Sequence, residues 1–138
     1  MRKKSFTLIE ILIVILIIGI LASLLTVGIN HYKDKAKDVR AKENMNQIRI
    51  SASKIYDTQG GYESALLCCS SGCSDEVKTN CEEIKKMTGS YPDIFTDDNE
   101  NYCAKVQLNS GKWFCIDSQG SAIEKDSVIC SPANLKCE

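Results

Sequence analysis

Eight cysteines are the most reactive side chains in this sequence, and their placement narrows what they do. They stand at Cys68, Cys69, Cys73, Cys81, Cys103, Cys115, Cys130 and Cys137, all in the later half of 138 residues. An even number in a small region reads as a disulfide framework, formed in an oxidising, extracytoplasmic compartment. Eight cysteines allow roughly a hundred pairings, so connectivity stays open. The rival is zinc. A four-thiolate site usually shows two knuckles, each a cysteine pair two to four residues apart. Cys73 with Cys69 or Cys68 makes one knuckle, and there is no second.

Other donors are sparser. Asp93, Asp97, Asp98, Asn99 and Glu100 make an oxygen-rich stretch, and Asp93, Asp97, Asp98 and Glu100 are candidates for calcium. EF-hand spacing is absent, and a solvated acidic turn is the plainer reading. His31 is the only histidine and follows an apolar run, which suits an interfacial side chain better than a catalytic base. There is no Ser/His/Asp set, phosphate-binding glycine loop or metalloprotease motif. The expectation is a protein without catalysis and without a cofactor.

One more acid stands out by position. From Ile11 to Ile29 there is no charged residue, and Glu10 opens the run. As a helix those residues reach about 28 Å, close to the hydrocarbon thickness of a bilayer. A carboxylate there costs roughly 2.5–3.5 kcal/mol at bilayer centre and less near the edge. Thr7-Leu8-Ile9-Glu10 fits a capping box, and an acid in a first turn favours the helix dipole.

The elements that must carry these groups are legible in outline. After Ile29 the chain turns charged yet stays periodic. Ala41, Met45, Ile48, Ala52 and Ile55 follow one helical face, and Tyr32, Ala36 and Val39 continue a related stripe. No proline interrupts Phe6 to Thr58, so one long helix is expected, ended by Gly60-Gly61. Its stripe is read as core packing that covers a sheet. Asp75 to Met87 reads as a short helix with Val77, Cys81 and Ile84 on one side. Tyr102–Leu108 and Lys112–Asp117 read as a hairpin around Asn109-Ser110-Gly111, with a third strand at Ser121–Glu124. Cys103 and Cys115 then lie on the two hairpin arms, which predicts local bridges. Cys68, Cys69, Cys73 and Cys81 are expected to pair among themselves.

The string Lys3-Lys4-Ser5-Phe6-Thr7-Leu8-Ile9-Glu10-Ile11-Leu12-Ile13-Val14 resembles the processing site of type IV pilins and pseudopilins. The resemblance implies cleavage between Ser5 and Phe6 by a prepilin peptidase, with N-methylation of the new Phe6 amine. It implies that Glu10 pairs with the Phe6 amine of a neighbouring subunit during assembly. The physics agrees, because in lipid each charge is costly alone and far less costly paired. The family usually places glycine before the cut, and this chain has Ser5, also small. The string KAKDVRAKENMNQIRISASKIYDTQGGY is similar to the second half of a pilin helix and its turn. Many members have a proline in the apolar half; here only Gly19 and Gly28 interrupt it. A C-terminal disulfide loop is common in the family, which would pair Cys130 with Cys137. Some type II secretion members bind calcium in a loop of the head.

A secretory signal peptide fits less well: Arg2, Lys3 and Lys4 suit its basic region, but the apolar run is too long and lacks an A-x-A site. Five bases at Lys33, Lys35, Lys37, Arg40 and Lys42 would place the C-terminal side in the cytoplasm by count alone. The cysteines argue the opposite and carry more weight. Removing Arg2, Lys3 and Lys4 from 17 basic side chains leaves 14 against 18 acidic ones, so no specific nucleic acid is expected.

The expected architecture is α+β and pilin-like. Residues 1–5 are a leader, 6–29 a membrane-spanning assembly helix, 30–58 its amphipathic continuation, and 59–138 a disulfide-rich head built on a small antiparallel sheet. The expected role is a structural subunit of a type IV pilus or pilus-like filament. The alternative is a minor pilin, or a pseudopilin of secretion or DNA uptake, whose head binds a partner. A membrane-anchored domain unrelated to filaments is a third class. Expected partners are the peptidase, other pilin subunits and the membrane. The expected place is a single pass in the cytoplasmic membrane with an extracytoplasmic head, then a cell-surface or periplasmic filament.

Overall fold

The computed structural model describes residues 7–26, 29–97 and 99–138. The chain divides into two compact units, Met1–Lys33 and Asp34–Glu138. Helix α1 is Leu8–Thr26 and helix α2 is Ile29–Gln59. One continuous helix is expected through residues 27 and 28, which lie outside the described residues.

In the second unit, α2 meets α3 (Asp75–Thr88) and four strands: β1 (Asp93–Thr96), β2 (Tyr102–Gln107), β3 (Trp113–Asp117) and β4 (Ala122–Lys125). The strands form one antiparallel sheet in sequence order. The unit is α+β, a long helix packed on a four-stranded sheet.

The stripe on α2 does what its spacing predicts. Ala41, Met45, Ile48 and Ala52 are fully buried and Ile55 nearly so, clustered with Tyr102, Ala104, Val106, Phe114 and Ile116. Each large side chain buried there contributes roughly 1.5–3 kcal/mol. Val77, Cys81 and Ile84 of α3 complete the layer. Acids Asp75 and Glu76 in its first turn and Lys85 and Lys86 in its last suit the helix dipole. Gly60, at φ +80°, ends α2, its N–H bonding Tyr56 O at 2.8 Å. Gly111, at φ +85°, closes the β2–β3 turn, where Leu108 N–H donates to Lys112 O at 2.8 Å.

Tyr32 and Val39 do not continue the stripe. Both are exposed, at 72% and 60%. Val39 and Ala41 differ by two residues, about 200° around a helix, so they point to opposite sides. The residue that extends the head-facing line is Asp38. Its Oδ1 accepts Asn109 N–H at 2.7 Å and Asn109 Nδ2 at 2.8 Å, and its Oδ2 accepts Ser110 N–H at 3.0 Å. Asn109 Nδ2 also donates to Met87 O at 3.1 Å. One carboxylate therefore fastens α2 to the β2–β3 turn. Burial acts to raise the Asp38 carboxyl, but the bonds from Asn109 and Ser110 outweigh it and hold it below its ordinary value.

The opposite face of the sheet carries Cys103, Cys115, Phe95 and Ile123, covered by the C-terminal tail with Val128 and Leu135. The bridges follow from this layering. Cys103 pairs with Cys130 and Cys115 with Cys137, while Cys68 pairs with Cys73 and Cys69 with Cys81. The expected Cys103–Cys115 and Cys130–Cys137 bridges are therefore corrected. Cys103 sits opposite Asp117 and Cys115 opposite Lys105, so the two are diagonal neighbours on one face. Each instead reaches across to the tail. Asp117, also buried, reinforces that layer: Oδ1 accepts Gln119 and Ser121 N–H at 3.0 and 2.9 Å, and Oδ2 accepts Cys137 N–H at 3.0 Å. All eight cysteines are engaged, which overturns the zinc alternative.

Peptide mapping without reduction should recover linked peptides for Cys103–Cys130 and Cys115–Cys137. Replacing Cys115 and Cys137 by serine should cost about 2–4 kcal/mol in denaturant unfolding followed by Trp113 fluorescence. Asp38→Ala should cost about 1–3 kcal/mol in the same assay, by orphaning the Asn109 and Ser110 donors. That difference should be full above about pH 4 and vanish as pH falls through the lowered native value of Asp38, because protonation removes its advantage over the unfolded chain.

Candidate functional site

Helix α1 begins at Leu8, and Glu10 lies in its first turn. The Glu10 carboxylate turns back on the helix start. Its Oε2 accepts Thr7 N–H at 2.9 Å and the Thr7 hydroxyl at 2.8 Å, while Glu10 N–H donates to Thr7 O at 3.1 Å. This is half of the expected capping box. The acid returns its bond to the Thr7 amide, but the threonine hydroxyl donates to the acid instead of accepting from the helix. A negative charge is thereby held at the positive end of the helix dipole.

The rest of α1 gives that acid its setting. From Leu8 to Leu24 every large apolar side chain is exposed, from 49% at Ile17 to 83% at Leu8. Among the described residues of α1 no side chain is buried. A helix apolar all round is built for an apolar environment rather than for water. Among the described residues, no helix is long and apolar enough to cross a membrane. The side chains described without a break, Leu8 to Leu24, reach about 25 Å, against roughly 30 Å of hydrocarbon. The uncharged run continues to Ile29 through residues 25–28, whose side chains are not described. Ser5 and Phe6, the expected cleavage and methylation positions, also lie outside the described residues.

A family model described as the prokaryotic N-terminal methylation motif matches residues 1–26. The chain carries the leader signature of type IV pilins and pseudopilins. No curated protein and no solved structure matches the chain. The matched motif thus ends where α1 ends, and Glu10 falls inside it.

The remaining candidates are placed as follows. Asp93 lies on β1 opposite Lys105. Asp97 uses its carboxylate on its own loop: Oδ1 accepts Asn99 and Asn101 N–H, each at 3.0 Å, and Oδ2 accepts Asn101 Nδ2 at 2.8 Å. The bond from Asn101, with further help from Asn99, holds the Asp97 carboxyl below its ordinary value. Glu100 is exposed, and Asp98 lies outside the described residues. Among the described residues, no group of three His, Cys, Asp or Glu side chains is placed to hold a metal ion. His31 falls in the first turn of α2. A groove of about 430 Å³ between α2 and α3 includes Ser51, Lys54 and Glu76. There Lys54 first, then Ser51, hold the Glu76 carboxyl below its ordinary value, Lys54 Nζ lying 2.9 Å from Oε1.

Two buried acids that hold the head together, Asp38 and Asp117, are not singled out by the sequence analysis. Asp38 had a signal: it precedes Ala41 and Met45 by three and seven residues, on the same apolar line. Asp117-Ser118-Gln119-Gly120 had one too, an acid opening a turn whose N–H groups it accepts.

Proposed function

We propose that this chain is a structural subunit of a type IV pilus or pilus-like filament. A prepilin peptidase cuts it between Ser5 and Phe6, the Phe6 amine is methylated, and subunits join through residues 6–29. The leader signature at residues 1–26 carries this reading. The geometry of Glu10 supports it. Among the described residues its carboxylate is satisfied by Thr7. After the cut Thr7 becomes the second residue, and a charged amine appears one helical turn from the acid. In lipid that pair of opposite charges is mutually stabilising, whether the amine belongs to the same chain or to a neighbour.

The head supports an extracytoplasmic destination. Four disulfides in a unit this size persist only where thiols are oxidised. Residues 6–29 then serve as a single membrane pass before assembly, with the head on the outer side. Within this reading the role is mechanical and requires no catalytic group.

Intact mass spectrometry of the membrane and sheared-filament fractions tests the proposal. The expected mass begins at Phe6 and includes one methyl group; a chain still beginning at Met1, or one cut after Ala22, would sink it. Glu10→Val should leave membrane anchoring unchanged and reduce filament yield at least about tenfold, since the charge pair is lost. Presence as the main band of sheared filaments marks the chief subunit.

A further inference from the structure

The unit Asp34–Glu138 is polarised along α2. At the start of the helix Lys35, Lys37, Arg40 and Lys42 crowd into two turns. Lys37 pairs with Asp34 at 3.6 Å, and Lys42 pairs with Glu124. Lys35 and Arg40 have no ion pair among the described residues and are exposed. They flank exposed Ala36 and Val39, the face that points away from the sheet. Asp38 fixes this end of α2 beside the β2–β3 turn.

The other end of α2 lies about 33 Å away, measured from Lys35 to Asp57. There Tyr62 N–H bonds Asn99 O at 3.0 Å, which brings the 97–101 loop to the helix terminus. Asp57, Glu63, Asp97 and Glu100 are exposed at that end. Glu63 and Glu100 have no ion pair among the described residues. Near Asp57, Lys54 is paired with Glu76 at 2.9 Å, and exposed Lys136 lines the groove beside Asp97.

We infer that the Lys35–Arg40 face of one copy docks on the acidic Glu63/Asp97/Glu100 end of a second copy. The two ends are complementary in charge and differ in place, so the contact is head-to-tail and does not close on itself, which generates a filament rather than a dimer. Val39 supplies a small apolar centre, and the charges set register and encounter rate. A lipid surface explains the cations less well. Lipid has no use for the acidic end. The inference deepens the filament reading and rests on it for its setting.

The test uses the full-length protein in neutral detergent, cut or uncut. An equal mixture of unlabelled and isotope-labelled chain is treated with a carbodiimide, which joins an ammonium to a touching carboxylate. Mixed-isotope peptides joining Lys35 or Lys37 to Glu63, Asp97 or Glu100 are expected. In sedimentation at low salt, Lys35→Glu with Arg40→Glu should weaken self-association about tenfold, as should Glu63→Lys with Glu100→Lys; mixing the two reversed chains should restore it. Unchanged association in either variant, or no restoration on mixing, overturns the inference. So does a Lys35→Glu with Arg40→Glu reversal that abolishes binding to phosphatidylglycerol vesicles while self-association is unchanged. All four substitutions are at exposed positions, and an unshifted Trp113 unfolding curve checks that the head is intact. The filament reading fails separately, on an uncut Met1 terminus.

Discussion

A four-stranded sheet has two faces, and in this head both carry buried side chains. In this head only one face has helices to cover it. The stripe on α2 and the buried line of α3 close over Tyr102, Ala104, Val106, Phe114 and Ile116. The other face holds Phe95, Ile123, Cys103 and Cys115, and the only chain left to cover it is the tail after β4. That tail has no helix and few apolar side chains. It could not stay down on hydrophobic burial alone in a domain this small. Two disulfides and the Asp117–Cys137 hydrogen bond hold it where packing is too weak. The layer order thus dictates which cysteines pair.

The first unit obeys a different constraint. Its apolar side chains face outward on all sides, so its stability in isolation depends on an apolar surrounding. Within that apolar surface Thr7 satisfies Glu10 locally. The two units therefore divide the physical work: one is solved by its own core and bridges, the other is completed by its environment.

Much of this was legible from residue spacing. The α2 stripe from Ala41 to Ile55, the burial line of α3, the β2–β3 hairpin and the short fourth strand all announce themselves through period and turn residues. Glu10 and Thr7 were legible as a cap, although the direction of the hydroxyl bond was not. β1 was hidden because Asp93-Ile94-Phe95-Thr96 is four residues long and abuts an acidic loop, which masks its alternation. The disulfides among Cys103, Cys115, Cys130 and Cys137 were misread because proximity in sequence stood in for proximity across a sheet. Tyr32 and Val39 were misread because apolar spacing says which residues share a helix face, while the angle to the next stripe decides what that face meets. Ser5 and Phe6 are legible only through the leader motif.

The placement of the bridges also settles how this molecule would bear load. Every disulfide lies between Cys68 and Cys137, and α2 has none. Sheet and tail form one covalently reinforced block, and α3 with the 68–73 loop a second, whereas α2 is joined to both by apolar packing, by Asp38 and by a few side-chain bonds. A tensile pull along α2 would shear that seam first, sliding the helix past the sheet while the cross-linked blocks kept their shape. The weakest mechanical joint is thus between α2 and the cross-linked layers, and it is reversible, because no covalent bond has to break for the seam to open or to close again.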